Sequence, residues 1–292
     1  LCEKDDNKVL TKMSHEFQIQ LLPSLMEMLF SNSSFQDSEL TSLLTQFNDV
    51  LVTLKYQSDV YTLALKYITQ VKQSFSKMKV GVLVTETSKA PNFASNQIIN
   101  YIKIDSTVSE ITGNFRSCTS LLGIEIPNSI TSIGASSFES CSLLRKMVIP
   151  QSVVSIKSSA FSNCSSLTHI LIPHSVTFIG NQAFQNCISL IEIEIPTSVT
   201  SIKDGTFNGC SSLNHIELPS SLVSIEKSAF HGCSSLTQVE IPSSCSSIGV
   251  SAFNGCSSLT RILIPSSVTS IKDSCFENCS SLTHFEIPNT VT

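Results

Sequence analysis

The chain has 292 residues, 18 of them Lys or Arg and 23 Asp or Glu, for a net charge of −5 and a charged fraction of only 14%. That balance excludes a nucleic-acid binder working by charge, because phosphate contacts need clustered Lys and Arg. No apolar stretch approaches a membrane span, which takes about 18 residues.

Residues 1–80 contain no Gly and one Pro. Leu22, Leu25, Met26, Leu29 and Phe30 recur at helical spacing, as do Leu40, Leu43, Leu44, Phe47, Leu51 and Leu54. A third set is Tyr61, Ala64, Leu65, Ile68, Val71 and Phe75. The pattern predicts a small α-helical region over 1–80, entered through caps such as Asp37 or Ser38. Residues 81–98 are a junction and the start of a cap. Val80 to Val84 has the composition of a strand, and Lys89 to Asn92 that of a loop.

From there a unit of 23 residues repeats. Phe138, Phe161, Phe184, Phe207, Phe230, Phe253 and Phe276 are each followed three residues later by Cys, and three after that by Leu. Ile or Leu and then Pro close the unit's apolar run, from Pro127 to Pro288. The frame starts early, with Phe93 and Ile99, Ile102 and Ile104; there Asn96 stands for Cys and Asp105 for Pro, as atypical terminal repeats do. A fixed period of this length with a Leu-x-x-Ile-x-Ile core predicts a leucine-rich-repeat solenoid over 99–292: a parallel β-sheet on the concave face, with short turns or 3₁₀ helices on the convex face. Nine strands are expected, at 99–104, 121–126, 144–149, 167–172, 190–195, 213–218, 236–241, 259–264 and 282–287. In each, residues 1, 4 and 6 point inward and Pro ends the strand, since it cannot donate to the ladder. The Ala-Phe pair is expected on one helical or 3₁₀ turn, its rings stacked in a column.

Eleven cysteines suggest disulfides in a secreted chain. Their placement argues otherwise, because Cys118 and the seven cysteines that follow the phenylalanines share one position in successive units. Stacked neighbours lie about 4.8 Å apart and point the same way, whereas a disulfide needs Cβ atoms about 3.8 Å apart and turned together. A column of buried, reduced thiols is expected instead. Together with the lack of a leader-like segment this favours a cytoplasmic setting. The first residue is Leu1 and the last falls inside a repeat, so the chain reads as a fragment.

Runs such as Ile264 to Ile271 (Ile-Pro-Ser-Ser-Val-Thr-Ser-Ile) and Ala252 to Leu259 (Ala-Phe-Asn-Gly-Cys-Ser-Ser-Leu) resemble the BspA-like branch of leucine-rich-repeat proteins, named for a bacterial surface antigen. The resemblance covers residues 93–292 and leaves the N-terminal region out. It implies a binding solenoid, with adhesion at a cell surface as one role. It supplies no catalytic residue, and neither a cofactor nor a metal is implied.

The chemistry-bearing residues fall on the strands. His169, His215 and His284 share strand position 3, while Glu125, Glu194, Glu217, Glu240 and Glu286 share position 5. His and Glu on one face have the donor atoms for a divalent metal, but a polar sheet face is the plainer reading. His231 beside Cys233 would form a nucleophilic pair only if the thiol were exposed. Candidate partner-binding residues are Thr168, His169, Leu171, Ile191, Glu192, Glu194, Asn214, His215, Glu217, Thr237, Gln238, Glu240, Arg261 and Leu263. Their run of glutamates favours a protein partner with a basic patch. The alternative is an intracellular adaptor in which the helical region and the solenoid bind different proteins.

Overall fold

The structure, a computed structural model, describes residues 81–84, 92–97 and 99–291, the first of these segments by its backbone. The helical region expected over 1–80 lies outside the described residues, as does Cys2.

The first elements among the described residues are β1 (Gly81–Val84), β2 (Tyr101–Ile104) and β3 (Gly123–Glu125). Short and long strands then alternate as far as Leu263. The strands that follow β3 are β4 (Ser132–Ile133), β5 (Lys146–Val148), β6 (Ser155–Ile156), β7 (His169–Leu171), β8 (Phe178–Ile179), β9 (Glu192–Glu194), β10 (Ser201–Ile202), β11 (His215–Glu217), β12 (Ser224–Ile225), β13 (Gln238–Glu240), β14 (Ser247–Ile248), β15 (Arg261–Leu263) and β16 (His284–Glu286). Between β15 and β16 only an isolated bridge at Ile271 takes the short strand's place. All strand pairing among the described residues is parallel; β2 pairs with β3 at an offset of 22 residues (Tyr101 on Gly123), and from β4 onward paired strands are 23 residues apart, as in Ile216 on Ile193 and Val239 beside Ile262. The long ladder runs β1-β2-β3, β5-β7, β9-β11 and β13-β15-β16. Between β7 and β9 a backbone bond beside the named strands continues it, Ile191 N–H donating to Thr168 C=O at 3.3 Å. The expected strand at Val80 to Val84 is β1, paired with β2 through Val82 and Ile102.

Two expectations need correction. The strands expected at six residues are three residues long from β3 onward. Residue 1 of each unit belongs to the preceding turn: its N–H bonds back to the Cys carbonyl, as in Leu144 to Cys141 at 3.1 Å, and so cannot join the ladder. The second correction is a second sheet, where the sequence suggests only a change of direction. The Ser-Ile pairs, with Phe178–Ile179 in the same place, form short parallel ladders, β4-β6-β8 and β10-β12-β14, extended by bridges Ile111–Ile133 and Ile248–Ile271. Ser132 and Ser155 hydroxyls meet across it at 2.8 Å, as do Ser201 and Ser224.

The third side of the coil is the Phe–Cys corner, and it is built of turns; no helix occurs among the described residues. Successive corners are joined by backbone bonds such as Phe161 N–H to Ala183 C=O and Phe207 N–H to Ala229 C=O, both 2.8 Å. Every side of the coil therefore passes its peptide groups to the next repeat, which leaves few buried donors unmade. The phenylalanine rings stack from Phe93 to Phe276 with centroids 5.2 to 5.8 Å apart and planes within 13°, the offset arrangement aromatic quadrupoles prefer. Apolar residues at strand positions 1, 4 and 6, the Val and Ile residues in and just before the strands of the second sheet, such as Val153 and Ile156, and the cysteine column fill the rest of the core.

Candidate functional site

Alternation along each long strand decides which side chains face out. In β7 the Ile170 side chain is buried while His169 and Leu171 are exposed, and the same order holds in β9, β11, β13 and β15. Stacking then turns one position into a column. Strand position 5 reads Val148, Leu171, Glu194, Glu217, Glu240 and Leu263 across six consecutive repeats; position 3 reads Lys146, His169, Glu192, His215, Gln238 and Arg261. Val148 is 73% exposed, Leu171 61% and Leu263 40%, more than a core-forming residue would be.

Of the residues singled out from the sequence, His169, Leu171, Ile191, Glu192, Glu194, Asn214, His215, Glu217, Thr237, Gln238, Glu240, Arg261 and Leu263 are all exposed. Thr168 is half-buried, and its hydroxyl donates to the Arg145 carbonyl at 3.3 Å. Two shallow recesses share this surface. One, of about 410 Å³, is lined by His169, Leu171, Glu192, Glu194, His215 and Glu217. The other, of about 420 Å³, lies between His215, Glu217, Gln238, Glu240, Arg261 and Leu263.

The face is not uniformly acidic. At its N-terminal end Glu125 is engaged: Lys103 Nζ stands 3.5 Å away and the Tyr101 hydroxyl donates to it. That hydrogen bond lowers the carboxyl below its usual range and pushes the phenol up to about 12. In the centre His169 Nε2 is 4.0 Å from Glu192 and His215 Nε2 is 3.7 Å from Glu217, both in open solvent. Glu194 and Glu240 form no ion pair among the described residues. No group of three His, Cys, Asp or Glu side chains converges as a metal site would require, again among the described residues.

The cysteine column is chemistry of another kind. Each thiol donates to the phenylalanine carbonyl of the preceding repeat: Cys164 to Phe138 at 3.1 Å, Cys210 to Phe184 at 3.1 Å, Cys233 to Phe207 at 3.2 Å. The ten described cysteines are all free. Burial pushes the Cys118 thiol up to about 11 and Cys164 and Cys210 up to about 12. Such thiols stay protonated and inert, so His231 has no nucleophile in Cys233. Hydrogen bonding by the thiols was not legible in the sequence, where Cys reads as a small apolar residue. The serine of each Pro-x-Ser-Val run was missed too. It donates to a carbonyl one repeat back, as Ser175 does to Val153 at 2.7 Å and Ser152 to Ile130 at 2.6 Å. Its recurrence at a fixed place in a half-buried turn was the available signal.

A stacked-strand solenoid with a buried Phe–Cys corner and an exposed, variable strand face is a leucine-rich-repeat architecture. The sequence matches the family described as "BspA type Leucine rich repeat region (6 copies)" over residues 87–202 and 177–292, and the chain belongs to that family. Among solved structures it is similar to a leucine-rich repeat protein from Bacteroides ovatus, with 27% identity, a TM-score of 0.57, and coverage of 72% of this chain and 70% of that one. It is also similar to a leucine-rich repeat protein of T. pallidum, with 26% identity, a TM-score of 0.50, and coverage of 61% and 82% respectively. Comparison with curated proteins gives no match. Among the described residues no helix is long and apolar enough to cross a membrane.

Proposed function

We propose that this chain is a non-enzymatic protein-binding solenoid that engages its partner through the outer face of the long sheet. The observation that carries the reading is the column of Val148, Leu171, Glu194, Glu217, Glu240 and Leu263, six exposed residues on six adjacent strands. Apolar anchors flank an acidic centre. Apolar residues of this kind supply affinity when covered, and the carboxylates select a basic patch and speed its approach. Adhesion at a surface, the role that family resemblance implies, is a setting in which such a face works.

The test is partner capture on the immobilised protein, with the bound proteins identified by mass spectrometry. Glu194→Lys, Glu217→Lys and Glu240→Lys combined should lose capture and flatten its salt dependence. Lys227→Glu is the control, an exposed site that follows β12 and lies off the long sheet. Lys203 is unsuitable, because its ammonium is held 2.7 Å from Glu226. Capture that survives the triple change and fails with the control would move the interface off this face.

A further inference from the structure

We infer that the partner segment is an α-helix lying along the solenoid axis, across the strands, with one basic residue per turn at its centre and an apolar residue one turn beyond on each side. This rests on the reading of the strand face as the binding surface and specifies what fits it.

The argument is one of matched spacing. Side chains in the position 5 column step by one strand spacing, about 4.8 Å. A helix rises about 1.5 Å per residue, so a stripe at i, i+3, i+7, i+10 and i+14 steps by about 5.2 Å. From Leu171 to Leu263 is four steps in the column, about 19 Å, against about 21 Å on the helix. Flexible Lys or Arg side chains absorb that difference. Other backbones do not keep step. An extended strand presents same-side residues about 6.8 Å apart, and is out of register by more than one repeat after three steps. A polyproline helix presents one every 9.3 Å or so, reaching Glu194 and Glu240 while passing over Glu217.

Chemistry sets the order of residues on the helix. Leu171 and Leu263 call for apolar contacts at i and i+14, and Glu194, Glu217 and Glu240 for Lys or Arg at i+3, i+7 and i+10. The two recesses lie between these positions, and each pairs carboxylates with an apolar wall, Leu171 in one and Leu263 in the other. A Lys or Arg has that shape, an apolar stem ending in a charge. Beyond the acidic centre the face turns basic, with Arg145 and Lys146 at one end and Arg261 at the other, all exposed. A helix that is basic throughout would meet like charge at both ends, so selection favours basic residues confined to the central turns.

The test uses synthetic 19-residue Ala/Gln helices, each held by a lactam bridge on the side facing away from the protein, and read by fluorescence anisotropy against the whole chain at low and physiological salt. The matched peptide carries Leu at i and i+14 and Lys at i+3, i+7 and i+10. It should bind at least ten-fold more tightly than a rotated peptide whose three lysines are moved two residues on, to the opposite face. It should also bind at least ten-fold more tightly than an unbridged peptide of the matched sequence with two prolines at outward positions. Glu194→Lys, Glu217→Lys and Glu240→Lys combined should abolish matched binding, and Leu171→Asp should weaken it at least five-fold. Equal binding of the rotated peptide, equal binding of the proline peptide, or no binding of the matched peptide each overturns the helical partner. The strand-face reading is judged separately by partner capture: if the triple change abolishes capture while no helical peptide binds, the face stands and the helix falls.

Discussion

The Phe–Cys corner and the outer face of the long sheet are cut from the same 23-residue unit and treat it in opposite ways. In the corner, Phe recurs at every unit, its ring sits on the ring of the unit before, and the thiol three residues on bonds to a carbonyl of that earlier unit. On the face, position 5 changes from Val148 to Glu194 to Leu263 with no change in backbone register. The difference follows from what each side chain touches. A corner residue meets its own counterpart above and below, so one shape must satisfy both contacts. A face residue meets solvent, and its identity is free to serve recognition. Repetition marks the scaffold, and variation on an otherwise repeated frame marks the surface available for function.

The largest test of this contrast is alkaline pH. Burial holds the Cys164 and Cys210 thiols at about 12 and Cys187 and Cys233 well above the ordinary value of 9.0. Above pH 9.0 the unfolded chain releases these protons and the folded chain does not, so the unfolded state gains and stability falls as pH rises. Each thiol contributes a loss of about 1.4 kcal/mol per pH unit until its folded value is reached. Urea melts between pH 8 and 11 should show a steep loss, shallower in a Cys164→Ala, Cys210→Ala variant. A flat profile would mean that the column is accessible to water.

Next in size is the core itself. Phe207→Ala should cost about 3–5 kcal/mol and Leu213→Ala about 2–5 kcal/mol, since both side chains are fully buried and leave cavities in a stack that cannot collapse. Chemical denaturation of the single variants measures both. A smaller loss is expected at Gly232, whose φ of 71° lies in the left-handed region although a Cβ there would meet only ordinary van der Waals contact, the nearest atom being Gly209 Cα at 3.7 Å. Gly232→Ala should therefore cost about 1–2 kcal/mol through the backbone alone. The smallest effect belongs to the face: Thr237→Ala should change stability by no more than about 0.5 kcal/mol. If Thr237 matched Phe207 in the same melts, the division between scaffold and surface would be wrong.

Much of the molecule was legible from periodicity. A 23-residue frame with Ile at strand positions 4 and 6 dictates a stacked parallel sheet, because no single unit can bury its own apolar face. The same frame places Glu194, Glu217 and Glu240 in one outward column before any coordinate is known, since strand alternation leaves position 5 no other side. Tertiary structure decided what depends on contacts between units. The three-residue strands arise because Leu144 and its counterparts spend their N–H groups on the corner. The Ser-Ile ladder arises because stacking brings Ser132 to Ser155 and Ile133 to Ile156, two-residue runs too short to announce a strand. The thiol-to-carbonyl bonds, and the recesses between glutamates on neighbouring strands, exist only where residues 23 or 26 apart meet. Periodicity reports which side a residue faces; what it meets there depends on how the neighbouring repeat is stacked.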